Sequence, residues 1–162
     1  MKIAIFGGSF NPIHKGHIAL ATHVLEQQWV DEVWLNVSPQ NPLKPQRGLL
    51  PEQLRLRLAR EAVKDIERIK VSDVEFHLPR PSYTWATLRA LAEQYPQHKF
   101  CLLIGGDNWA LFHRWAHYEE ILQRCELLVY PRPGTPIQSS ELPPTVHLIS
   151  APQFPYSSTE VR

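Results

Sequence analysis

Short apolar runs alternate along this chain with longer segments in which apolar residues recur every three to four positions. Short runs of this kind predict buried strands, and the longer period predicts amphipathic helices. We expect strands at 2–7, 32–38, 70–75, 99–105, 125–130 and 146–149, and helices at 16–28, 52–66 and 83–95 and in pieces across 107–123. This alternation is typical of an α/β fold: a doubly wound, Rossmann-like parallel sheet with helices on both faces.

One segment fits two periods. Leu54 to Leu58 alternates leucine with arginine, as a half-buried strand would. Its continuation through Ala59, Ala62, Val63 and Ile66 follows a 3.6-residue period over a length that strands rarely reach. We therefore predict a helix here.

The 15 prolines cluster in the connections, at 39–51, 79–81, 131–144 and 152–155. The chain shows no repeat, low-complexity tract or change of composition, so residues 1–162 are expected to form one domain. In doubly wound sheets, ligands bind at the carboxyl ends of the strands. The proline-rich loops are therefore expected to border such a site.

The charge and the distribution of apolar residues argue against a nucleic-acid-binding protein and against a membrane-spanning protein. With 17 Lys and Arg against 16 Asp and Glu, the formal net charge is +1, which argues against nucleic acid as a partner. No apolar run approaches the roughly 18 residues of a membrane span, and no signal peptide opens the chain. Cys101 and Cys125 lie in apolar runs and are expected to be buried, reduced thiols. We expect a cytoplasmic protein, and the sequence favours no particular oligomeric state.

The first strand is followed by a loop suited to an anion. Gly7 and Gly8 allow the backbone to turn sharply and to approach a ligand closely. The helix that follows should present N–H groups and the positive end of its dipole. His14 and His17, at its start, are expected to face the same anion. They could instead bind zinc, but no further ligand occurs in a recognisable pattern, so we predict no dedicated metal site.

The loop matches neither the G-x-G-x-x-G fingerprint nor a P-loop. Its string G-G-S-F-N-P-I-H-K-G-H resembles the H-x-G-H signature of the nucleotidyltransferase superfamily, and most closely that of nicotinate mononucleotide adenylyltransferases. The resemblance implies adenylyl transfer from ATP to nicotinate mononucleotide, giving deamido-NAD and pyrophosphate. The substrate's phosphate would attack in line, without a covalent enzyme intermediate. Mg²⁺ would arrive with ATP.

Further motifs extend the resemblance along the chain. On the acceptor side, it implies that Lys44 binds the mononucleotide phosphate, that Thr84 lies at the nicotinate carboxylate, and that Trp115, followed by Ala116, stacks on the pyridine ring. On the ATP side, it implies contacts from the glycine loop, from the G-G-D segment and from a closing S-S-T-x-x-R signature. These ATP contacts would come from Gly7, Gly8, Ser9, Phe10, His14, His17, Gly105, Asp107, Ser157, Ser158, Thr159 and Arg162.

The catalytic set that the resemblance implies is His14, His17, Lys44 and Arg162, with His17 at the α-phosphate. A simpler interpretation of Asp107 is a helix N-cap. Members of this family usually continue past the final arginine into a helical segment, whereas the sequence given stops at Arg162; two interpretations stay open, a minimal protein and a chain that lacks this segment. Two other functions stay open: adenylyl transfer to phosphopantetheine or another small molecule, and a nucleotide-binding module without turnover.

Overall fold

The computed structural model describes residues 1–8, 10, 12–39, 50–78, 83–130 and 142–149, with only the backbone described for Asp107. It contains six strands: β1 Lys2–Gly8, β2 Glu32–Val37, β3 Ile69–Ser72, β4 Lys99–Gly105, β5 Leu127–Tyr130 and β6 Val146–Leu148. Its α-helices are α1 Lys15–Glu26, α2 Glu52–Val63, α3 Thr84–Gln94, α4 Gly106–Ala110 and α5 Tyr118–Arg124. Two short 3₁₀ helices lie at Val74–His77 and Phe112–Arg114.

All neighbouring strands pair in parallel, in the order β3-β2-β1-β4-β5-β6. The strand order reverses between β1 and β4, which lie side by side with Phe6 opposite Leu103. In doubly wound sheets a ligand crevice opens beyond the carboxyl ends of the strands at this point. The predicted fold class is confirmed.

Two apolar cores lie on opposite faces of the sheet. On one face, Phe6 and Leu103 pack with Leu20 of α1 and Leu56 of α2. On the other, Ile5 is grouped with residues of α3, α5 and both 3₁₀ helices, including Leu91, Ile121, Val74 and Phe112. Burial on both faces explains why the central strands are continuously apolar.

One predicted strand is partly wrong. The run at 70–75 was expected to be extended throughout, but β3 ends at Ser72 and a 3₁₀ helix begins at Val74. The pairing of β3 with β2 stops where Ser72 lies opposite Asn36. Beyond that point Val74 enters the second core. Because Val74 is apolar, the predicted strand continued beyond Ser72, although Ser72 is the last residue of β3 that pairs with β2.

The predicted helices are all present with shifted ends, and the stretch 107–123 is divided into α4, a 3₁₀ turn and α5. The N-cap interpretation of Asp107 is wrong, because Gly105 is the N-cap of α4 and Asp107 is its second residue. Within the described residues, no helix is long and apolar enough to cross a membrane.

Candidate active site

The carboxyl end of β1 opens into space at the point where the strand order reverses. Gly7 is exposed, and a Cβ placed on it would meet no atom within 4 Å. Gly8 lies above the Phe10 ring, which a Cβ would approach to 3.5 Å. The backbone of this turn can therefore be approached closely by a ligand, as the two glycines predict.

His14 is the N-cap of α1. Its backbone is extended, and its Nδ1 accepts a hydrogen bond from the N–H of Gly16 at 3.1 Å. Serine, threonine, aspartate and asparagine usually fill this position, because a side-chain acceptor satisfies a helix N–H that has no partner within the helix. The imidazole nitrogen serves the same purpose here.

His17 completes a reciprocal capping box. Its Nδ1 accepts a hydrogen bond from the backbone N–H of His14 at 3.0 Å, and its own N–H donates to the carbonyl of His14 at 3.1 Å. The two rings stack with centroids 3.7 Å apart and planes inclined by 23°. The sequence predicted N–H groups available to an anion, but the N–H groups of His14, Gly16 and His17 are used inside the cap.

This arrangement determines which ring nitrogen carries the proton. A backbone N–H can only donate, so Nδ1 of each histidine is an acceptor, and a neutral ring must hold its proton on Nε2. On one edge of each ring, Nδ1 accepts a hydrogen bond from a backbone N–H at the start of α1. On the other edge, Nε2–H is a donor. Such a donor suits a phosphate oxygen, and the bond accepted at Nδ1 strengthens it.

The ring of His17 packs against two aromatic side chains. Its ring lies edge-on to Phe10, at 4.8 Å between centroids, and to Phe6, at 6.0 Å. Phe10 is only 3% exposed and adopts a positive φ of 47°, a conformation that is uncommon for a bulky residue. Its buried ring packs against the rings of Phe6 and His17.

The carboxyl end of β4 supplies the adjoining wall. Gly105 is buried, ends β4 and caps α4, so the backbone turns from strand to helix without a loop. The backbone of Asp107 lies in the first turn of α4, and its side chain is outside the description. Gly8 and Gly105 thus end the two strands that flank the switch in strand order.

Two of the predicted acceptor residues, Thr84 and Trp115, lie on the sheet face that carries α3 and α5. Thr84 is the first residue of α3 and is half-buried. The next residue, Trp85, lies 4.5 Å from His117 between ring centroids. His117 follows Trp115 and Ala116 and has a positive φ of 56°. The start of α3 is thereby brought beside the segment that holds Trp115.

Trp115 is half-buried and packs on Phe112, with centroids 4.9 Å apart. Its indole Nε1 is buried and has no hydrogen-bond partner among the residues that the structure describes. Buried donors are nearly always satisfied, so an orphaned N–H is unusual. Trp109 stacks on Phe112 from another position, at 5.5 Å, consistent with a packing role.

The described residues contain no group of three or more His, Cys, Asp or Glu side chains that could hold a metal. Ser9, Lys44, Ser157, Ser158, Thr159 and Arg162 lie outside the described residues, so the assignments made for them stay predictions. One polar side chain near the site escaped the sequence reasoning altogether. Arg55 of α2 is buried, and its guanidinium donates to the carbonyls of Ser38 and Pro39, which directly follow β2.

The Cytidylyltransferase-like family model matches residues 5–162. A Bacteroides fragilis protein named "Probable nicotinate-nucleotide adenylyltransferase" is 52% identical over 161 residues, which are 99% of this chain and 80% of that protein. A Bacteroides thetaiotaomicron protein of the same name is also 52% identical, over 100% of this chain and 80% of its own length. The chain belongs to the nicotinate-nucleotide adenylyltransferase family.

The fold agrees with this membership. The Plasmodium falciparum nicotinic acid mononucleotide adenylyltransferase, solved in complex with NaAD, superimposes with a TM-score of 0.83 at 23% identity, over 98% of this chain and 81% of that one. The same enzyme complexed with APC gives a TM-score of 0.80 at 22% identity, over the same shares of both chains. In this fold, His14 and His17 follow β1, one of the two strands between which the strand order reverses.

Proposed function

We propose that the protein transfers the adenylyl group of ATP to the 5′-phosphate of nicotinate mononucleotide, giving deamido-NAD and pyrophosphate. The observation that carries this proposal is the pair of stacked, mutually capped histidines at the glycine turn of β1. It is supported by relatives that are 52% identical over the whole chain and bear the name of this activity.

The histidines act on the triphosphate. In the neutral rings, Nε2–H of His14 and of His17 are the donors, because each Nδ1 is engaged by the backbone. We place His17 at the α-phosphate, whose oxygens gain negative charge as a fifth oxygen approaches phosphorus. A donor held in place before the reaction stabilises this charge without a reorganisation cost.

No protein nucleophile takes part. The acceptor phosphate is already anionic, so one of its oxygens attacks the α-phosphorus directly. That bond forms as the bond from the α-phosphorus to the α,β-bridging oxygen breaks, and pyrophosphate leaves with its electron pair. The protein therefore contributes positioning and charge stabilisation, as in other phosphoryl transfers.

The acceptor binds on the α3 and α5 face. The Trp115 indole stacks on the electron-poor pyridine ring, an attraction of roughly 0.5–2 kcal/mol, and its orphaned Nε1–H suits an acceptor atom. Thr84 and the backbone after Trp115, at Ala116, face the carboxylate. Lys44 holds the attacking phosphate.

The remaining ATP contacts come from the glycine turn after β1, from the junction of β4 and α4, and from the last residues of the chain. Gly7, Gly8, Ser9, Phe10, Gly105 and Asp107 form the nucleotide side, with Phe10 acting from beneath His17. Ser157, Ser158, Thr159 and Arg162 bind the leaving pyrophosphate through hydroxyl groups and a guanidinium. The substrate is MgATP. Its metal is held by phosphate oxygens and water, since the described side chains offer no cage.

We place the reaction in the cytoplasm. Both cysteines are free thiols in the structure, which suits a reducing compartment. The formal net charge of the chain is only +1, so its affinity for phosphate comes from individual side chains, which suits a small anionic substrate.

The proposal is tested by incubating the full chain with MgATP and, separately, nicotinate mononucleotide, nicotinamide mononucleotide and phosphopantetheine, and by measuring pyrophosphate. The expected result is rapid release with nicotinate mononucleotide alone. Release with phosphopantetheine alone would reassign the acceptor. ATP binding without pyrophosphate release from any acceptor would contradict catalysis.

A further inference from the structure

One residue beside the predicted acceptor site has an unfavourable backbone conformation. His117 adopts φ 56° and ψ 35°, in the left-handed region. Residues with a Cβ are disfavoured in this region, although histidine adopts it more often than most of them. Such a conformation persists only where the surrounding structure holds it, and it is found most often at functional sites. The contacts of His117 therefore show what its conformation serves.

The left-handed residue lies in a turn directly after Trp115. The N–H of Tyr118 donates to the carbonyl of Trp115 at 3.2 Å. Ala116 and His117 are therefore the two central residues of a four-residue turn. A positive φ at the second central position usually goes with glycine or asparagine, because these residues adopt it most easily. The histidine makes side-chain contacts here that a glycine could not make.

The imidazole of His117 packs against α3. Its ring centroid lies 4.5 Å from that of Trp85, with the two planes inclined by 60°. Its Nδ1 lies 3.9 Å from a carboxylate oxygen of Glu120, and its backbone carbonyl accepts a hydrogen bond from the N–H of Ile121 at 3.1 Å. These contacts all belong to α3 and α5, which cover the sheet face opposite to the face covered by α1.

The contact with Trp85 connects the two described segments of the predicted acceptor site. Thr84 immediately precedes Trp85 at the start of α3. Trp115 lies two residues before His117. One contact between aromatic rings therefore links the segment of Thr84 to the segment of Trp115, and α1 with its two histidines takes no part in it.

We propose that His117 is a positioning residue for the pyridine ring of the acceptor mononucleotide. Its left-handed backbone leads the chain from Trp115 into α5, and its ring, packed on Trp85, holds this turn against the start of α3. Without the imidazole, binding of the mononucleotide would have to supply the free energy of ordering the two segments, and affinity would fall. The inference rests on the proposed function, which assigns Thr84 and Trp115 to the acceptor.

The test separates the ring of His117 from its backbone conformation. His117→Gly removes the imidazole and adopts the positive φ without strain. His117→Phe keeps an aromatic ring but increases the strain, because bulky residues tolerate this region less well than histidine. Gln28→Gly is the matched control, because Gln28 is exposed and has a similar φ of 63° beyond the C-terminal end of α1.

Steady-state kinetics with MgATP and nicotinate mononucleotide provide the measurement. In His117→Gly, KM for the mononucleotide should rise about three- to tenfold, the range for losing one aromatic contact, while KM for ATP stays within about twofold of the wild type. His117→Phe should keep KM for the mononucleotide near that of the wild type, although its thermal stability is lower. Gln28→Gly should leave both KM values unchanged.

A purely structural role would raise both KM values together, or neither. Either result, or a raised mononucleotide KM that His117→Phe does not restore, would overturn the inference and leave the proposed function standing. If His117→Gly does not fold, it is replaced by His117→Asn, which also tolerates a positive φ and lacks the ring, and failure of both to fold would overturn the inference as well. A wild type that releases no pyrophosphate with nicotinate mononucleotide would remove the proposed function, and the inference with it.

Discussion

The rings of His14 and His17 stack 3.7 Å apart while the backbone N–H of His14 donates to Nδ1 of His17. Each histidine therefore helps to hold the other, and both hold the first turn of α1. Two positively charged rings at this separation would repel each other, and protonation of either Nδ1 would break a capping bond. The pair is thus built to be neutral and to donate from Nε2.

Replacing His17 should affect turnover far more than folding. For His17→Ala, we expect kcat to fall by about 10²–10³, the range for losing one preorganised donor to transition-state charge. Loss of the capping bond should cost only about 1 kcal/mol of stability. His77→Ala, at an exposed position outside the site, serves as the control. An unchanged kcat in a folded His17→Ala protein would remove His17 from the mechanism.

Trp115 should act on the acceptor alone. Trp115→Ala is expected to raise KM for the pyridine nucleotide by about tenfold, because a stack worth roughly 0.5–2 kcal/mol is made equally in the ground and transition states. KM for ATP should stay nearly constant. Trp109→Ala removes the other indole that packs on Phe112 and controls for lost packing. If Trp115→Ala raises KM for ATP instead, Trp115 belongs to the ATP pocket and its assignment to the acceptor is wrong.

The acid form of the substrate should be preferred over the amide. Donors near Thr84 and after Trp115 suit a carboxylate, whereas the amide group of nicotinamide mononucleotide would leave its own N–H groups unpaired in the pocket. One unpaired buried group costs about 1–3 kcal/mol, so kcat/KM should favour nicotinate mononucleotide by about 5- to 150-fold. Equal kcat/KM values for the two nucleotides would refute this account of the pocket.

The buried thiols should make the protein less stable in alkali. Burial raises the pKa of Cys101 and of Cys125 from 9.0 to about 12. The folded state thus keeps both protons at pH values where the unfolded chain has lost them. The stabilisation from the neutral thiols is full below about pH 9 and is lost as pH rises towards 12.

At pH 10, this effect amounts to roughly 1 kcal/mol per thiol. Urea unfolding at pH 8 and pH 10 should therefore show a steeper loss for the wild type than for a protein carrying Cys101→Ala and Cys125→Ala. Lysine deprotonation is common to both proteins and cancels in the difference. Equal losses would show that the thiols ionise alike in both states.

The sequence predicts the strands best where both faces are buried. The expected strand 99–105 coincides with β4, which is central and apolar on both sides. β3 is an edge strand with one neighbour, and its end depends on where β2 stops pairing, which no local pattern reveals. The start of α1 depends on histidine caps, and histidine is not among the residues that usually signal an N-terminus.

Arg55 shows why one buried side chain near the site was not predicted. In the run Leu54–Leu58, the two arginines look equivalent in the sequence. One is buried and the other exposed. The difference arises from backbone carbonyls supplied by another part of the chain. The glycine turn and its histidines could be predicted because their chemistry is contiguous in sequence.

The central claim is that the acceptor's phosphate oxygen attacks the α-phosphorus of ATP. Nicotinate mononucleotide labelled with ¹⁸O in its 5′-phosphate is incubated with MgATP and the protein, and both products are analysed by mass spectrometry. The account predicts that the dinucleotide retains all of the label and that the released pyrophosphate contains none. Label in the pyrophosphate, or labelled mononucleotide left unchanged while ATP is consumed, would contradict it.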